Sequence, residues 1–311
     1  MKISLCITVF NEEKSIKRLL TSIERQTKLP DEIVIVDGGS IDKTIDFLNK
    51  HKSYIKQVKI IVKKGNRAIG RNEAIRLATG NIIAITDAGC ELDSHWLEEI
   101  TNPFDSKKIQ VVSGYYKGKS KNSLEASLVP YVLVMRDKVN SKNFLPSTRS
   151  MAMRKNLWKQ LGGFPIQYTW NEDFVFSKQI EKVGIIPIFA ENAIVFWFPR
   201  ETIWQGWNMF YAFAKGDAQA DIWRPKVIIL LLRMIFVSFF FIYAVLMQNI
   251  LVWQILGGGA IFYGLWAISK NYCYVKTPMA FIYLPLWQVI SDNAVFVGTF
   301  VGFFWKKIKQ K

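Results

Sequence analysis

The 311-residue chain is poor in the residues that mark several common protein classes. Three cysteines, Cys6, Cys90 and Cys273, are too few and too scattered for a disulfide framework or a zinc cluster. Two histidines, His51 and His95, leave little room for a histidine-rich metal site. The opening, MKISLCITVF, lacks the basic start, long apolar core and small-residue cleavage site of a secretory signal, so the bulk of the chain is expected on the cytoplasmic side. There is no obvious internal repeat and no low-complexity linker. Acidic residues are scarce, 25 against 41 Lys and Arg, for a formal charge of +16. Half of the residues are hydrophobic, which excludes a disordered or collagen-like chain and supplies a sizeable core.

The excess of positive charge is informative when divided. Residues 1–224 hold 33 basic and 24 acidic residues, and residues 225–311 hold eight and one. A basic chain suggests nucleic acid. Here no nucleic-acid-reading motif accompanies the charge, and the basic C-terminal part is also the most apolar. Basic residues flanking apolar stretches suit an anionic membrane face instead.

The first hundred residues alternate between strand-like and helix-like patterns. Short apolar runs predict strands at Ile3–Val9, Glu32–Val36, Val58–Val62 and Ile82–Thr86. Helical spacing predicts helices at Glu13–Gln26, Asp42–Asn49 and Arg67–Leu77. That succession argues for an open parallel α/β sheet, in which ligands bind beyond the carboxyl ends of the strands. Three polar clusters fall at such ends: Asn11-Glu12, Asp37-Gly38-Gly39-Ser40 and Asp87-Ala88-Gly89. Further on, strands are expected at Val111–Tyr116, Arg149–Met153, Ile185–Phe189 and Ala193–Phe198. Helices are expected at Ser123–Val134, Lys155–Leu161 and Glu172–Val183.

The character changes after Pro199. Ile203, Trp204, Trp207, Phe210, Tyr211 and Ala214 form a helical stripe over residues 202–214 that suits either a membrane interface or an ordinary core. Residues 227–247 are long enough to span a bilayer despite Arg233, and residues 250–268 form a second candidate span. The third apolar stretch, 279–305, carries Pro285, Gln288 and Ser291-Asp292-Asn293. A third full crossing would place the basic tail outside, against the positive-inside tendency. Two spans followed by interfacial or re-entrant helices are therefore favoured over three.

At this point several motifs together resemble the inverting family-2 glycosyltransferases, over residues 3–223. Thr8-Val9-Phe10-Asn11-Glu12 resembles their opening strand-end motif. Val36–Thr44 resembles the nucleotide-binding turn, and Gly70-Arg71-Asn72 through Gly80 the helix before the metal-motif strand. Thr86-Asp87-Ala88-Gly89-Cys90 occupies the place of the DxD motif. Gly162-Gly163-Phe164 and then Glu172-Asp173 resemble the acceptor-side loop and the catalytic ED motif. Order and spacing carry the resemblance more than any single piece. It implies the GT-A fold, a Rossmann-like and mostly parallel sheet flanked by helices, over residues 1–223. Residues 1–100 would be the nucleotide-binding half and 101–223 the acceptor-side half, with membrane helices in 224–311.

The resemblance also implies roles. Thr8, Phe10, Asn11, Glu12, Asp37, Arg71, Asp87 and Arg149 would bind a nucleotide-sugar, with Arg67 as a further cation or simply part of a solvated helix face. Asp173 would be the general base and Glu172 would orient the acceptor. Asp87 would hold the ribose or a Mg²⁺ or Mn²⁺ ion. Gly89 departs from the pattern by replacing the second acid of DxD. Glu91 or Asp93 could substitute, and both also read as a helix start before Trp96, with Asp93 or Ser94 as cap. The QxxRW motif of processive members is absent, since Asn208-Met209 fall where Arg-Trp would stand after Gln205. Lys215 and Asp217 read as closing over the donor or as a solvated helix end. The expected activity is transfer of one sugar to a lipid-linked or membrane-proximal glycan acceptor, at the cytoplasmic membrane and facing the cytoplasm, with no nucleic-acid partner. The alternatives are a polyprenyl-phosphate glycosyltransferase, or a non-catalytic nucleotide-sugar-binding scaffold.

Overall fold

Ile3–Val9 forms the first strand, β1, of the computed structural model, which describes residues 1–51 and 57–309. The chain divides into two units, Met1–Lys119 with Met135–Phe198, and Ser120–Val134 with the described residues after Phe198. The first unit continues with α1 (Ile16–Glu24), β2 (Glu32–Asp37), α2 (Thr44–His51), β3 (Val58–Val62), α3 (Arg67–Leu77) and β4 (Ile82–Asp87). β5 (Cys90–Leu92), α4 (Trp96–Thr101) and β6 (Val111–Gly118) follow. Helix α5 (Ser123–Val132) belongs to the other unit. β7 (Met151–Arg154), α6 (Lys155–Gln160), α7 (Glu172–Lys182) and β8 (Ile188–Trp197) complete the first.

The eight strands form one sheet in the order β3-β2-β1-β4-β7-β6-β8-β5. Strands β3, β2, β1 and β4 are parallel, as helical crossovers require. Ile33, Val34, Ile35, Ile82, Ile83 and Ala84 are buried, because helices cover both faces of such a sheet. Helix α1 packs its Ile16, Leu19, Leu20 and Ile23 face inward. Parallel strands put their carboxyl ends on one edge, so the turns after β1, β2 and β4 lie together there.

The second half of the sheet supplies the antiparallel pairs of this mostly parallel sheet. β7 pairs antiparallel to both β4 and β6, and β5 antiparallel to β8. Ile185–Phe189 and Ala193–Phe198, expected as two strands, contribute to one irregular strand, β8, whose register against β6 shifts at Gly114/Tyr115. Glu91 lies in strand β5 rather than at a helix start. Helix α4 follows instead from His95, whose backbone N–H donates to Asp93 Oδ1 at 3.1 Å.

The second unit is helical: α5, α8 (Ile203–Gln219), α9 (Pro225–Met247), α10 (Ile250–Val275) and α11 (Ala280–Lys309). The 223/224 boundary expected from the sequence therefore lies inside this unit. Three helices are long and apolar enough to cross a membrane, Pro225–Met247, Ile250–Val275 and Ala280–Trp305. The third is the most enclosed, with 33% of its apolar window buried against 11% in the other two. Its Gly298 and Gly302 bring it against α8, where an added Cβ would lie 2.4 Å from Tyr211 O and 2.6 Å from Lys215 O. The stripe on α8 splits in two: Phe210 and Ala214 are buried, while Trp204, Trp207 and Tyr211 stack in a ladder at 5.2 Å spacings.

Candidate active site

The turns after β1 and β2 are laced together by side-chain hydrogen bonds. Asn11 is left-handed, with φ 54°, which Asn tolerates better than most residues. Its N–H donates to Ser40 Oγ at 2.8 Å, and its Oδ1 accepts from Ile41 N at 3.0 Å. Glu12 N donates to Thr44 Oγ1 at 2.8 Å. Asp37 is fully buried, and its carboxylate accepts from Gly39 N and Ser40 N at 2.8 Å and from Ser40 Oγ at 2.5 Å. Asp37 thus builds the turn. Phe10 stands exposed above it. Thr8 packs beneath α3, where Gly70 permits the approach: a Cβ there would lie 2.8 Å from Thr8 Cγ2.

Arg71 ties three segments together. It projects from α3, is 4% exposed, and donates from Nη2 to Asp87 Oδ1 at 2.9 Å. Its Nη1 donates to Glu172 Oε1 at the start of α7. Its Nε is buried and has no hydrogen-bond partner among the described residues. Burial opposes the charge on Arg71, but Asp87, Glu172 and Asp173 outweigh it and raise the guanidinium pKa. Burial likewise pushes Asp87 up, and Arg71, Arg149 and Arg67 outweigh it, holding that carboxyl below its ordinary value. For Glu172 burial prevails over Arg71, and the neighbouring Asp173 charge adds to it, so its pKa is raised.

Asp173 is the less enclosed acid of the pair. Its Oδ1 accepts from Phe174 N at 2.9 Å, and its Oδ2 faces Ser147 Oγ at 3.2 Å and Thr148 Oγ1 at 3.4 Å. Those hydroxyls sit just before Arg149 in the chain, and neither is among the expected site residues. Arg149 lies over the Tyr116 ring at 5.5 Å and Arg67 over the Trp170 ring at 4.5 Å. The loop before α7 is anchored on α3 by two further residues absent from the expected set. Asn72 donates to Phe164 O at 2.7 Å and accepts from Phe164 N at 2.8 Å, and Asn66 donates to Ile166 O at 2.7 Å. Their signal was present in one place, since Asn72 follows Arg71 in the quoted motif. All ten expected site residues lie in the first unit. Lys215 and Asp217 lie in the second, where Asp217 pairs with Arg224 at 2.6 and 3.0 Å.

The residues around Asp87 do not make a divalent-cation site by themselves. Gly89 removes the second carboxylate, Asp87 is ion-paired to Arg71, and Arg149 and Arg67 act on the same carboxyl. Among the described residues no group of three His, Cys, Asp or Glu gathers to hold a metal. Glu91 is paired with Lys119 at 3.0 Å, and Asp93 Oδ1 accepts from the His95 backbone.

The model of the family described as glycosyl transferase family 2 matches residues 4–161, half of the chain. The chain is 24% identical over 202 residues to glycosyltransferase AglE of Haloferax volcanii, covering 62% of this chain and 65% of that protein. It is 30% identical over 183 residues to the poly(ribitol-phosphate) beta-glucosyltransferase of Bacillus spizizenii, covering 57% and 29%. The solved structure of the mannosyltransferase PcManGT from Pyrobaculum calidifontis, in complex with GDP-Man and Mn²⁺, superposes with a TM-score of 0.64 at 17% identity. That match covers 95% of this chain and 87% of the other, and shows that the two share a fold.

Proposed function

The chain belongs to glycosyl transferase family 2, and on that premise we propose that it is a membrane-anchored, inverting, non-processive glycosyltransferase. It moves one sugar from a nucleotide-diphospho-sugar to a lipid-linked or membrane-proximal glycan acceptor. The observation that carries this reading is Arg71, which links Asp87 on the donor edge to Glu172 beside Asp173. A relative named for glucosyl transfer to poly(ribitol-phosphate) supports a cell-envelope glycan as acceptor.

The nucleotide lies over the ends of β1 and β2, against Thr8, Phe10, Asn11, Glu12 and the turn that Asp37 shapes. Asp87 accepts from the ribose. The acceptor hydroxyl gives its proton to Asp173 as its oxygen bonds to C1 of the sugar. The C1–oxygen bond to the diphosphate breaks on the opposite face, and its electron pair leaves with the diphosphate. One in-line displacement inverts the anomeric centre. Arg149 and Arg67 face the charge that develops on the leaving group, fixed dipoles and cations being most effective where charge forms. Glu172, held by Arg71, positions Asp173 and the acceptor. A Mg²⁺ or Mn²⁺ ion would have one carboxylate from the protein, and the charge on the diphosphate is assigned to the arginines instead.

We place α9 and α10 across the cytoplasmic membrane with the catalytic unit on the cytoplasmic side. Helix α11 is sheathed by α5 and α8: Trp287 Nε1 donates to Leu124 O at 2.9 Å, Tyr131 donates to Leu284 O at 2.7 Å, and Gly298 and Gly302 face α8. That packing supports an interfacial or re-entrant α11.

The test is calorimetric titration of the detergent-solubilised full chain with UDP-, GDP- and dTDP-sugars, followed by turnover with membrane-extracted glycan acceptors. One nucleotide is expected to bind wild type and to be lost in Asp87→Ala. Asp173→Asn is expected to retain donor binding within about two-fold and to lose about 10³-fold in turnover. Failure of every nucleotide to bind would overturn the donor site, and full turnover by Asp173→Asn would overturn the base.

A further inference from the structure

A second concavity lies on the first unit, apart from the donor edge. It is an open pocket of about 510 Å³ between α1, the edge strand β5 and its neighbour β8. Lys17 and Arg18 on α1, Lys14 in the turn before it and Arg25 at its C-terminal cap line it, while Ile16, Leu19, Leu20 and Ile23 of α1 are buried. Elsewhere on this unit Lys59, Lys63, Arg76, Arg136 and Lys178 are paired with carboxylates. Among the described residues Lys14, Lys17 and Arg25 have no such partner, and Arg18 Nε is buried without one. Two acids also line the pocket: Glu91, neutralised by Lys119, and Asp93. The remaining balance is cationic.

Aromatic rings adjoin the cations. The Arg18 guanidinium stacks 3.5 Å over Phe198, and Lys119 Nζ lies 5.5 Å from the Phe196 ring and 5.8 Å from that of Phe198. Lys119 and Phe198 are also the last residues of the first unit before the chain passes into Ser120 and Pro199 of the apolar unit. Both covalent exits thus begin at this face, joined by the bond from Lys119 N to Trp197 O at 2.8 Å. The exposed, unpaired Lys14, Lys17 and Arg25, together with Arg18 on the Phe198 ring, match the chemistry of phosphate headgroups under an anionic leaflet. Residues 225–311, with eight basic residues to one acidic, carry the same preference.

We propose that the pocket of Lys14, Lys17, Arg18 and Arg25 binds the phosphate headgroups of anionic lipids, and so holds the catalytic unit against an anionic membrane surface. This goes beyond sugar transfer, and its test reads no turnover, so either idea can fail alone.

The full chain would carry a solvent-sensitive fluorophore on Thr21→Cys, with Cys273→Ser. Cys6 and Cys90 are buried and remain unlabelled. It is placed in nanodiscs of phosphatidylcholine, with or without phosphatidylglycerol. Phosphatidylglycerol is expected to shift the emission, and the shift should fall about five-fold in K14Q/K17Q/R25Q and weaken with salt. These three side chains are exposed, so the fold is not at stake. The control K107Q/K108Q, on exposed lysines elsewhere, should keep the shift. Inorganic phosphate added to phosphatidylcholine discs should leave the emission unchanged. Equal emission in the two lipids would overturn the proposal. A shift caused by phosphate or by soluble polyphosphate, and not by phosphatidylglycerol, would also overturn it and reassign the pocket to a soluble anion or a polyanionic acceptor.

Discussion

The two units use similar apolar residues to opposite ends. In the α/β unit Ile33, Ile35, Ile83 and Ile85 disappear between sheet and helices. In α9, Leu232, Ile235 and Phe236 are each more than 60% exposed. The first pattern is a core in water; the second is an exterior suited to hydrocarbon. Polar groups reverse in the same way. On its donor edge the α/β unit pairs Arg71 with both Asp87 and Glu172. The helical unit keeps Arg233, Tyr263 and Gln288 bonded to the single acid of its last 87 residues, Asp292. The contrast shows that hydrophobicity alone does not define a core. What decides is whether the backbone and the charged groups have found partners.

The sharpest way to break the first pattern is Arg71→Ala. It leaves Glu172 buried and unpaired and should destabilise the α/β unit by about 3–5 kcal/mol, seen as a lowered unfolding transition of the solubilised chain. Acid probes the same unit through Glu32. Burial pushes its carboxyl up, but hydrogen bonds from Ser4, Thr79 and Lys59 outweigh it and lower its pKa from 4.5 to about 2. The stabilisation, about 3 kcal/mol, is present above the unfolded value and lost as pH falls from there through the folded one. Glu32→Gln should remove that part of the acid sensitivity in pH-dependent unfolding.

On the helical side, Gly298→Ala forces a Cβ against Tyr211 O and should cost about 1–3 kcal/mol, measured as hydrogen-exchange deprotection of α8 and α11 with the sheet unchanged. The smallest effect sharpens the donor site. A Cβ at Gly89 meets nothing within 4 Å, so Gly89→Asp should alter stability by less than about 0.5 kcal/mol. It should nevertheless add a Mn²⁺ stimulation of turnover that exceeds that of wild type, detected by titrating the metal after chelation.

Much of this was legible in the chain. β1 to β4 announce themselves because short apolar runs end in polar turns, and residues 67–77 form the helix that their spacing predicts. The linkage from Arg71 to Asp87 and Glu172 was not legible, because it joins residues 16 and 101 positions apart. β5 is three residues long and owes its existence to β8, so no local pattern marks it. Asp37 reads as a free acceptor in sequence, yet its own turn occupies both of its oxygens. Gly298 and Gly302 were hidden in an apolar run whose composition speaks of membrane, whereas their spacing serves close packing against α8.

Helix α5 carries a consequence for the order of synthesis. Its residues Leu124 and Tyr131 bond to Trp287 and Leu284, 163 and 153 residues later in the chain. At roughly 5–20 residues per second, α5 waits roughly 8–30 s on the ribosome for those partners. The segments of the α/β unit on either side of it are complete long before then. A recombinant fragment ended at the last strand would keep α5 without α11, leaving the Leu124 carbonyl and the Tyr131 hydroxyl without these partners. Such a fragment is expected to aggregate unless α5 is replaced by a short polar loop.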